Sequence, residues 1–586
     1  MEWNLQKLFA DDETWEKDFK KAESVLEEID AYEGGLSSFA TFREYFKGQR
    51  KTTVLLQRLY QYAQLKSDLD KKNVENAARL QRIGHLLNEF RKKTAFEAPE
   101  ILALGRKKVF SFLEEDEDLQ DFRFPLEKLF HTHKHVLDKK SENLLAHYGR
   151  LADEGGSLHS ALSVADNEAG EVTLEDGRTI TVTSGNFQTH LAELENPSDR
   201  EKVFHAIFRH FDEHKHTFAQ IYDTVLQADV ARMRARGYDN TLQSYLFSNK
   251  IDASVYENLV AAAKETSGLV RRYYDLRKKA LGLEEHRTFD RFLPLAESRS
   301  KFDYPEAKEL FFAAVAPYGE TMLEKAKDAL KEGYVDVYEK GGKATGAYSS
   351  SVADTHPFIL LNYDRTLSDV FTLAHEAGHS MHSLFAGETQ PVPTQSYSIF
   401  VAEIASTFNE HVLLDHFLKT GKGTKADRIR LIQQALDDMV GTFYRQTLFA
   451  AYELEAHRLA ERGDPITHES LSAIMVSLYK EFYDIDIEKE PAKRYVWAYI
   501  PHFFHYSYYV YQYATSFAAS LKLYGMVEKD KEAIEKHIGL LKAGGNDFPM
   551  EQVKRAGIDL TKKEAFLGVA ERFETLLDEL TLALED

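Results

Sequence analysis

Thr372-Leu-Ala-His375-Glu376-Ala-Gly-His379-Ser-Met-His382 is the stretch that decides how this chain is read. Its apolar residues follow a helical rhythm, and the segment that starts near Leu367-Ser-Asp369 reads as one helix. His375 and His379 stand four residues apart, so both imidazoles lie on one face and can reach a single metal ion. Glu376 is turned by about 100° from His375 and stands beside that ion, where it can hold and deprotonate a water.

A catalytic zinc takes three protein ligands and leaves a fourth position open. The third candidate is Glu403, in Phe400-Val-Ala-Glu403-Ile-Ala-Ser-Thr-Phe-Asn-Glu410 on a second helix. Gly387-Glu-Thr-Gln-Pro-Val-Pro-Thr394 would reverse the chain between the two helices. The apolar neighbours Val401, Ala402, Ile404 and Ala405 make a solvated face unnatural for Glu403. Glu410, two turns further on, is expected to hydrogen-bond a ligand imidazole, and Asp369 competes for that task. Upstream, His356-Pro-Phe-Ile-Leu-Leu-Asn-Tyr363 reads as a strand. Two readings stand for it: an exposed edge that takes up an extended peptide by main-chain hydrogen bonds, with the loop Gly346-Ala347-Tyr348 offering further backbone N–H groups, or a plain buried strand.

Around this centre the chain reads as mainly helical. Its 586 residues leave room for about four domains. Only 31 Gly and 13 Pro punctuate that length, which favours long helices over a sandwich or barrel. Residues 1 to about 165 read as helix after helix. Glu171–Thr183 alternates about Asp176-Gly177 and predicts a hairpin with a two-residue turn. A helix then starts at Asn196-Pro-Ser198-Asp, with Ser198 as a possible cap. These signals divide the chain into an N-terminal helical domain, 1–190, ending in the hairpin, and a catalytic domain, 191–586.

Composition removes several functional classes. There is no cysteine, hence no disulfide, thiolate nucleophile or Cys-based zinc site, whereas 23 His are available. A net charge of −21 disfavours nucleic acid and anionic lipid as partners. No apolar run reaches the ~18 residues of a membrane span, and the start shows no signal-peptide pattern, so a cytoplasmic protein is expected. The runs His131-Thr-His133-Lys-His135 and His205, His210, His214, His216 sit among charged residues and read as ordinary helix surface.

The string His375-Glu-Ala-Gly-His379-Ser-Met-His382-Ser, the segment Phe400-Val-Ala-Glu403 and a C-terminal tyrosine-rich run resemble the oligoendopeptidase F branch of the thimet oligopeptidase family of zinc peptidases, which includes the Pz-peptidases. Gly346-Ala-Tyr-Ser349, Phe443-Tyr-Arg-Gln-Thr447 and Leu541-Lys-Ala-Gly-Gly-Asn-Asp-Phe-Pro549 agree in the same order. The resemblance extends from about Gly170 to the C-terminus, and more loosely over the N-terminal helices. It implies a multi-helix, zincin-like metallopeptidase with a small β-sheet beside the active-site helix and a deep central channel. It also implies one Zn²⁺ per chain on His375, His379 and Glu403, Glu376 as general base, and oligopeptide substrates.

Within the tyrosine-rich run the resemblance implies His and Tyr donors to the tetrahedral intermediate. Seven Tyr fall between positions 495 and 513. Tyr506, Tyr509 and Tyr513 share one face by helical spacing, and Tyr508 and Tyr511 fall off it. Tyr506, Tyr513 and His502 are the first candidates, with His505 and Tyr509 next. A hydroxyl or ring N–H there can donate to a developing oxyanion without changing its own ionisation. Ser516 stands where the family pattern has Gly. Two other classes stay open: a zinc-stabilised helical protein that binds peptides without cutting them, and a metallocarboxypeptidase in which Arg445 or Arg494 holds the terminal carboxylate.

Overall fold

The computed structural model describes residues 2–298, 300–421 and 423–585. Helices dominate, joined by two small sheets, so the mainly α reading holds. The chain forms two compact units, each assembled from three separated stretches. One comprises Met1–Lys134, Ser300–Thr420 and Ala519–Asp559, the other His135–Arg299, Gly421–Ala518 and Leu560–Asp586. No helix among the described residues is long and apolar enough to cross a membrane.

In the second unit, β1 (Gly170–Thr173) pairs antiparallel with β2 (Thr179–Val182). The hairpin lies where the alternation predicts, but its loop has three residues rather than two. Leu174 N donates to Arg178 O at 2.8 Å and Gly177 N to Leu174 O at 3.0 Å, with Gly177 at φ +85°. That is a tight turn followed by a left-handed residue, which a glycine adopts without steric cost. The helix Pro197–Glu213 is capped by Asn196, whose side chain accepts from Ser198 N. Ser198 is therefore not the cap: Pro197 fills the first helical turn and the start lies two residues earlier.

The first unit holds a three-stranded sheet. It comprises β3 (Val335–Asp336), β4 (Tyr348–Ser350) and β5 (Phe358–Leu360), in the order β3-β5-β4. β3 is parallel to β5 and β4 is antiparallel to it. The stretch 356–363 thus contributes a buried central strand, not an exposed edge. Phe358, Ile359 and Leu360 are fully buried. Phe358 and Leu360 join a core with Trp15, Phe19, Leu56, Leu59 and Ile83 from the N-terminal helices. The Trp3 indole donates to Ile359 O at 2.8 Å and ties the start of the chain to the same strand.

Two long helices follow the sheet. The motif helix, Leu367–Thr389, opens on a capping box: Thr366 Oγ1 accepts from Asp369 N, and the Asp369 carboxylate accepts from Thr366 N at 2.8 Å. The return helix is Ile399–Thr420, reached through the short turn Val392–Gln395. That turn rests on the third stretch of the unit, where Gly545 N donates to Thr394 O at 2.8 Å and Gln390 Nε2 to Lys542 O at 2.8 Å.

In the second unit the tyrosine-rich run is not one helix. His502–His505 form a single turn, Tyr508 adopts φ +54°, and a new helix, Tyr511–Lys529, starts beyond it. The shared helical face expected for Tyr506, Tyr509 and Tyr513 is therefore broken at Tyr508.

Candidate active site

The motif helix and the return helix cross at Gly378. A Cβ built there would lie 2.6 Å from Ser406 Cα and 2.7 Å from Ala405 O, so only glycine permits this approach. Asn409 Nδ2 donates to Ala374 O at 3.2 Å and locks the crossing one turn further along. The closeness of the two backbones brings Glu403 beneath the two histidines.

Glu403 Oε2 stands 3.4 Å from His375 Nε2 and 3.5 Å from His379 Nε2. His375 Nδ1 is 2.6 Å from Glu410 Oε1, a carboxylate acceptor, so Nδ1–H donates to it and Nε2 is the nitrogen turned toward Glu403 and His379. Three side-chain atoms of the kind that ligate a metal then face one point. Metal–ligand distances of about 2.0–2.1 Å in a tetrahedron give ligand–ligand edges of about 3.3 Å, close to those found. Ser406 Oγ donates to Glu403 Oε2 at 2.8 Å and steadies the carboxylate. Among the described residues this is the group of His, Asp and Glu side chains that meets the geometry of a metal site.

The electrostatics follow from burial and crowding. For His375 burial opposes protonation, but the hydrogen bond and charge of Glu410, with Glu376 and Glu403, push it up to about 9 when no ion is bound. Burial, with the charge of His375, pulls His379 down to about 4, which keeps it neutral and ready to coordinate. Burial also raises Glu376 to about 7, opposed by His375 and reinforced by Glu403 and Glu410. The Glu376 side chain is 6% exposed, and its Oε2 is buried without a hydrogen-bond partner.

Glu376 also meets the sheet. Ile359 N and Leu361 N donate to Tyr334 O and Asp336 O, so β5 turns its other backbone groups toward β4. In the register Tyr348↔Leu360 and Ser350↔Phe358, Ser349 N–H then points away from β5, where it donates to the Glu376 carboxylate. The free edge beside the site belongs to β4. Ser349 and Ser351 donate or accept hydroxyl hydrogen bonds with Ser380 and Ser383 at 2.9 and 2.8 Å, which holds that edge along the motif helix. A cavity of about 760 Å³ opens along it, lined by Ser349, Ser351, Thr355, Ser383, Ser396 and Tyr397.

Of the loop residues named from sequence, Gly346 takes φ +80° and its carbonyl accepts from Asn362 Nδ2 at 2.8 Å. Ala347 follows it, partly exposed. The Tyr348 hydroxyl instead donates to Asp68 Oδ2 at 2.6 Å, so its side chain is tied into the N-terminal helices. Asp369 is taken up by the capping box and by Asp364 N at 3.1 Å, so of the two candidates it is Glu410 that meets His375 Nδ1. Sequence reasoning missed Gly378, Ser406, Asn409 and Tyr397. The Tyr397 ring stacks on fully buried His382 at 3.5 Å, and its hydroxyl donates to His379 O at 3.3 Å. The glycine inside the motif was the available signal.

In the second unit, His502, Tyr509 and Tyr513 form a ring cluster, with centroids of 5.9 Å for His502–Tyr509 and 5.4 Å for Tyr509–Tyr513. Tyr506 joins it at 5.7 Å from Tyr509 and is 62% exposed. Tyr508 and Tyr511 are buried. His505 is exposed, and its Nε2 lies 3.1 Å from Ser160 Oγ.

Residues 190–571 match the model of peptidase family M3, and residues 100–168 match that of oligopeptidase F. The chain belongs to peptidase family M3. It is 35% identical to oligopeptidase PepF of Bacillus subtilis over 99% of this chain and 86% of that one. The crystal structure of oligoendopeptidase-F from Enterococcus faecium matches with a TM-score of 0.77 at 28% identity, covering 98% of this chain and 99% of that one. A solved chain from Chlamydophila abortus matches with a TM-score of 0.89 at 31% identity, over 99% and 98%. The M3 match spans His375, His379, Glu403 and the tyrosine-rich run alike.

Proposed function

We propose that this M3 peptidase is a zinc-dependent oligoendopeptidase that hydrolyses peptide bonds within short, unfolded oligopeptides. The observation that carries the proposal is the convergence of one atom each from His375, His379 and Glu403 beside Glu376, itself at the free edge of β4. His375, His379 and Glu403 would hold the ion, one per chain, and Glu410 would keep the His375 imidazole in the coordinating tautomer. Bound there, zinc would polarise the scissile carbonyl and acidify the attacking water.

Glu376 takes the proton of that water and passes it to the leaving amine, a task suited to a carboxylate whose protonation changes near neutrality. The extended substrate adds to β4, with Gly346, Ala347 and Tyr348 binding it through the backbone, so recognition tolerates varied side chains. We assign the oxyanion donors to Tyr506, Tyr513 and His502, with His505 and Tyr509 next. Support for this comes from their common ring cluster and from the exposure of Tyr506. Sequences 1–190 and 191–586 stand as the proposed modules, with the cytoplasm as the proposed compartment.

Glu376→Gln is the direct test. The variant should retain its zinc by elemental analysis and lose nearly all cleavage of a quenched fluorescent peptide. Substantial turnover would refute the general base. Chelator-insensitive cleavage would refute the metal, and no cleavage by the metal-loaded wild type would favour a peptide-binding protein. Arg445 and Arg494 each bury an unpartnered Nε, the kind of cation a carboxypeptidase needs. Mass spectrometry of digests from a length-graded peptide library separates internal cuts from loss of single C-terminal residues.

A further inference from the structure

Beneath the tyrosine-rich run lies a buried polar network that the proposed chemistry does not use. Glu453 and His457 sit one turn apart on the helix Arg445–Arg462, and both are fully buried. Glu453 Oε1 accepts the Tyr508 N–H at 2.5 Å. His457 Nδ1 faces Glu453 O at 2.8 Å, and its Nε2 faces Asp229 Oδ2 at 3.0 Å. Both ring nitrogens meet acceptors, so His457 is an imidazolium paired with the Asp229 carboxylate. Asp229 also accepts from Tyr245 OH at 2.6 Å and from the Ser507 hydroxyl.

The network grips two consecutive residues of the run. Ser507 is held through its hydroxyl by Asp229, and Tyr508 through its N–H by Glu453. The Tyr508 phenol is held as well: its oxygen lies 2.8 Å from Thr241 Oγ1, and its ring packs 4.5 Å from His457. Tyr508 has φ +54°, a conformation that a tyrosine leaves unless its surroundings over-determine it. The inward fold at Tyr508 turns its neighbours the other way. Tyr506 and Tyr509 leave the buried side and meet Tyr513 and His502.

We propose that Glu453, with the His457–Asp229 pair, is a positioning residue that sets the display of Tyr506, Tyr509 and Tyr513 by holding Tyr508 in its inverted conformation. Resting on the peptidase reading above, this predicts a loss confined to the transition state, because Glu453 never touches substrate. Glu453 Oε2 has no partner, and burial raises the carboxyl to about 8, so it serves as a neutral acceptor. Glutamine can reproduce that acceptor, whereas leucine cannot.

The metal-loaded protein carrying Glu453→Leu should lose at least 30-fold in kcat with KM within threefold, and Glu453→Gln should recover at least tenfold of the loss. Placed on Tyr506→Phe/Tyr509→Phe/Tyr513→Phe, Glu453→Leu should add less than threefold. Hydrogen exchange over residues 504–512 should accelerate at least tenfold in Glu453→Leu, with zinc content and distant segments unchanged. Thr241→Val, which loosens the other anchor, should act in the same direction and serves if Glu453→Leu fails to fold. Unchanged exchange in both variants, or a kcat loss that adds in full to the tyrosine variants, would overturn the proposal. A wild type without peptidase activity would overturn the peptidase reading, while the exchange result still judges the anchoring of Tyr508.

Discussion

Gly378 and Ser406 approach so closely that a single added carbon at Gly378 would lie 2.6 Å from the Ser406 backbone. The crossing of the two helices that carry His375, His379 and Glu403 depends on this contact, since Glu403 lies one turn before Ser406 and the histidines flank Gly378. Gly378→Ala should force the helices apart at a cost of about 1–3 kcal/mol. A thermal melt should show a lower midpoint, and a chelator competition should show weaker metal binding. An unchanged melt would mean that the crossing relaxes without strain.

Glu410 holds His375 at 2.6 Å and sets which nitrogen carries the proton. Glu410→Gln should lower metal affinity by about 10–100-fold while leaving the fold intact. Asp369→Asn should change stability rather than affinity, because Asp369 caps its helix. The two variants, compared in one chelator titration, separate the roles that their sequence positions leave entangled.

If Tyr506 or Tyr513 donates to the oxyanion, its Phe variant should lose about 10²–10³ in kcat, with KM little changed. Tyr511→Phe should instead alter only stability, because Tyr511 is buried against Tyr256 with centroids 5.1 Å apart. Steady-state kinetics on one fluorogenic peptide decides among them.

The His457–Asp229 pair gives stability a pH signature. Burial opposes both charges, but the mutual hydrogen bond and attraction win, lifting His457 above its ordinary value and holding Asp229 below its own. The His457 contribution is fully present below the unfolded histidine value of about 6.5 and is lost as pH rises through the folded value; the Asp229 contribution is present above about 3.9 and is lost as pH falls. The melting-temperature gap between wild type and His457→Gln should be widest near pH 5 and should narrow above pH 7. A gap that widens with pH would show that His457 is neutral.

Much of the site was legible because its geometry is local. Four-residue spacing puts His375 and His379 on one face whatever surrounds them, apolar neighbours mark Glu403 as inward-facing, and Glu410 follows two turns along roughly the same face. The capping of the motif helix was also written locally, in Thr366-Leu-Ser-Asp369, yet Asp369 also suited the task that Glu410 performs. Which strand forms the free edge was not legible. It depends on Val335 and Asp336 pairing with Ile359 and Leu360, a non-local choice that a three-residue apolar strand does not encode. The inversion at Tyr508 was equally hidden, since tyrosine carries no preference for positive φ and the cause lies in Glu453, fifty-five residues earlier.

The assembly of each unit from three separated stretches bears on how the protein is made. A nascent chain that has left the ribosome up to Thr420 already contains His375, His379 and Glu403. It lacks Gly544 and Gly545, which seat the turn between those two helices: a Cβ at Gly545 would stand 2.1 Å from Ser396 O. It lacks as well the Lys542 carbonyl that receives Gln390. Contacts of such high sequence separation form slowly and late. The turn that joins the two helices can therefore reach its described seat only once Lys542 and Gly545 have been synthesised, more than a hundred residues after His375, His379 and Glu403.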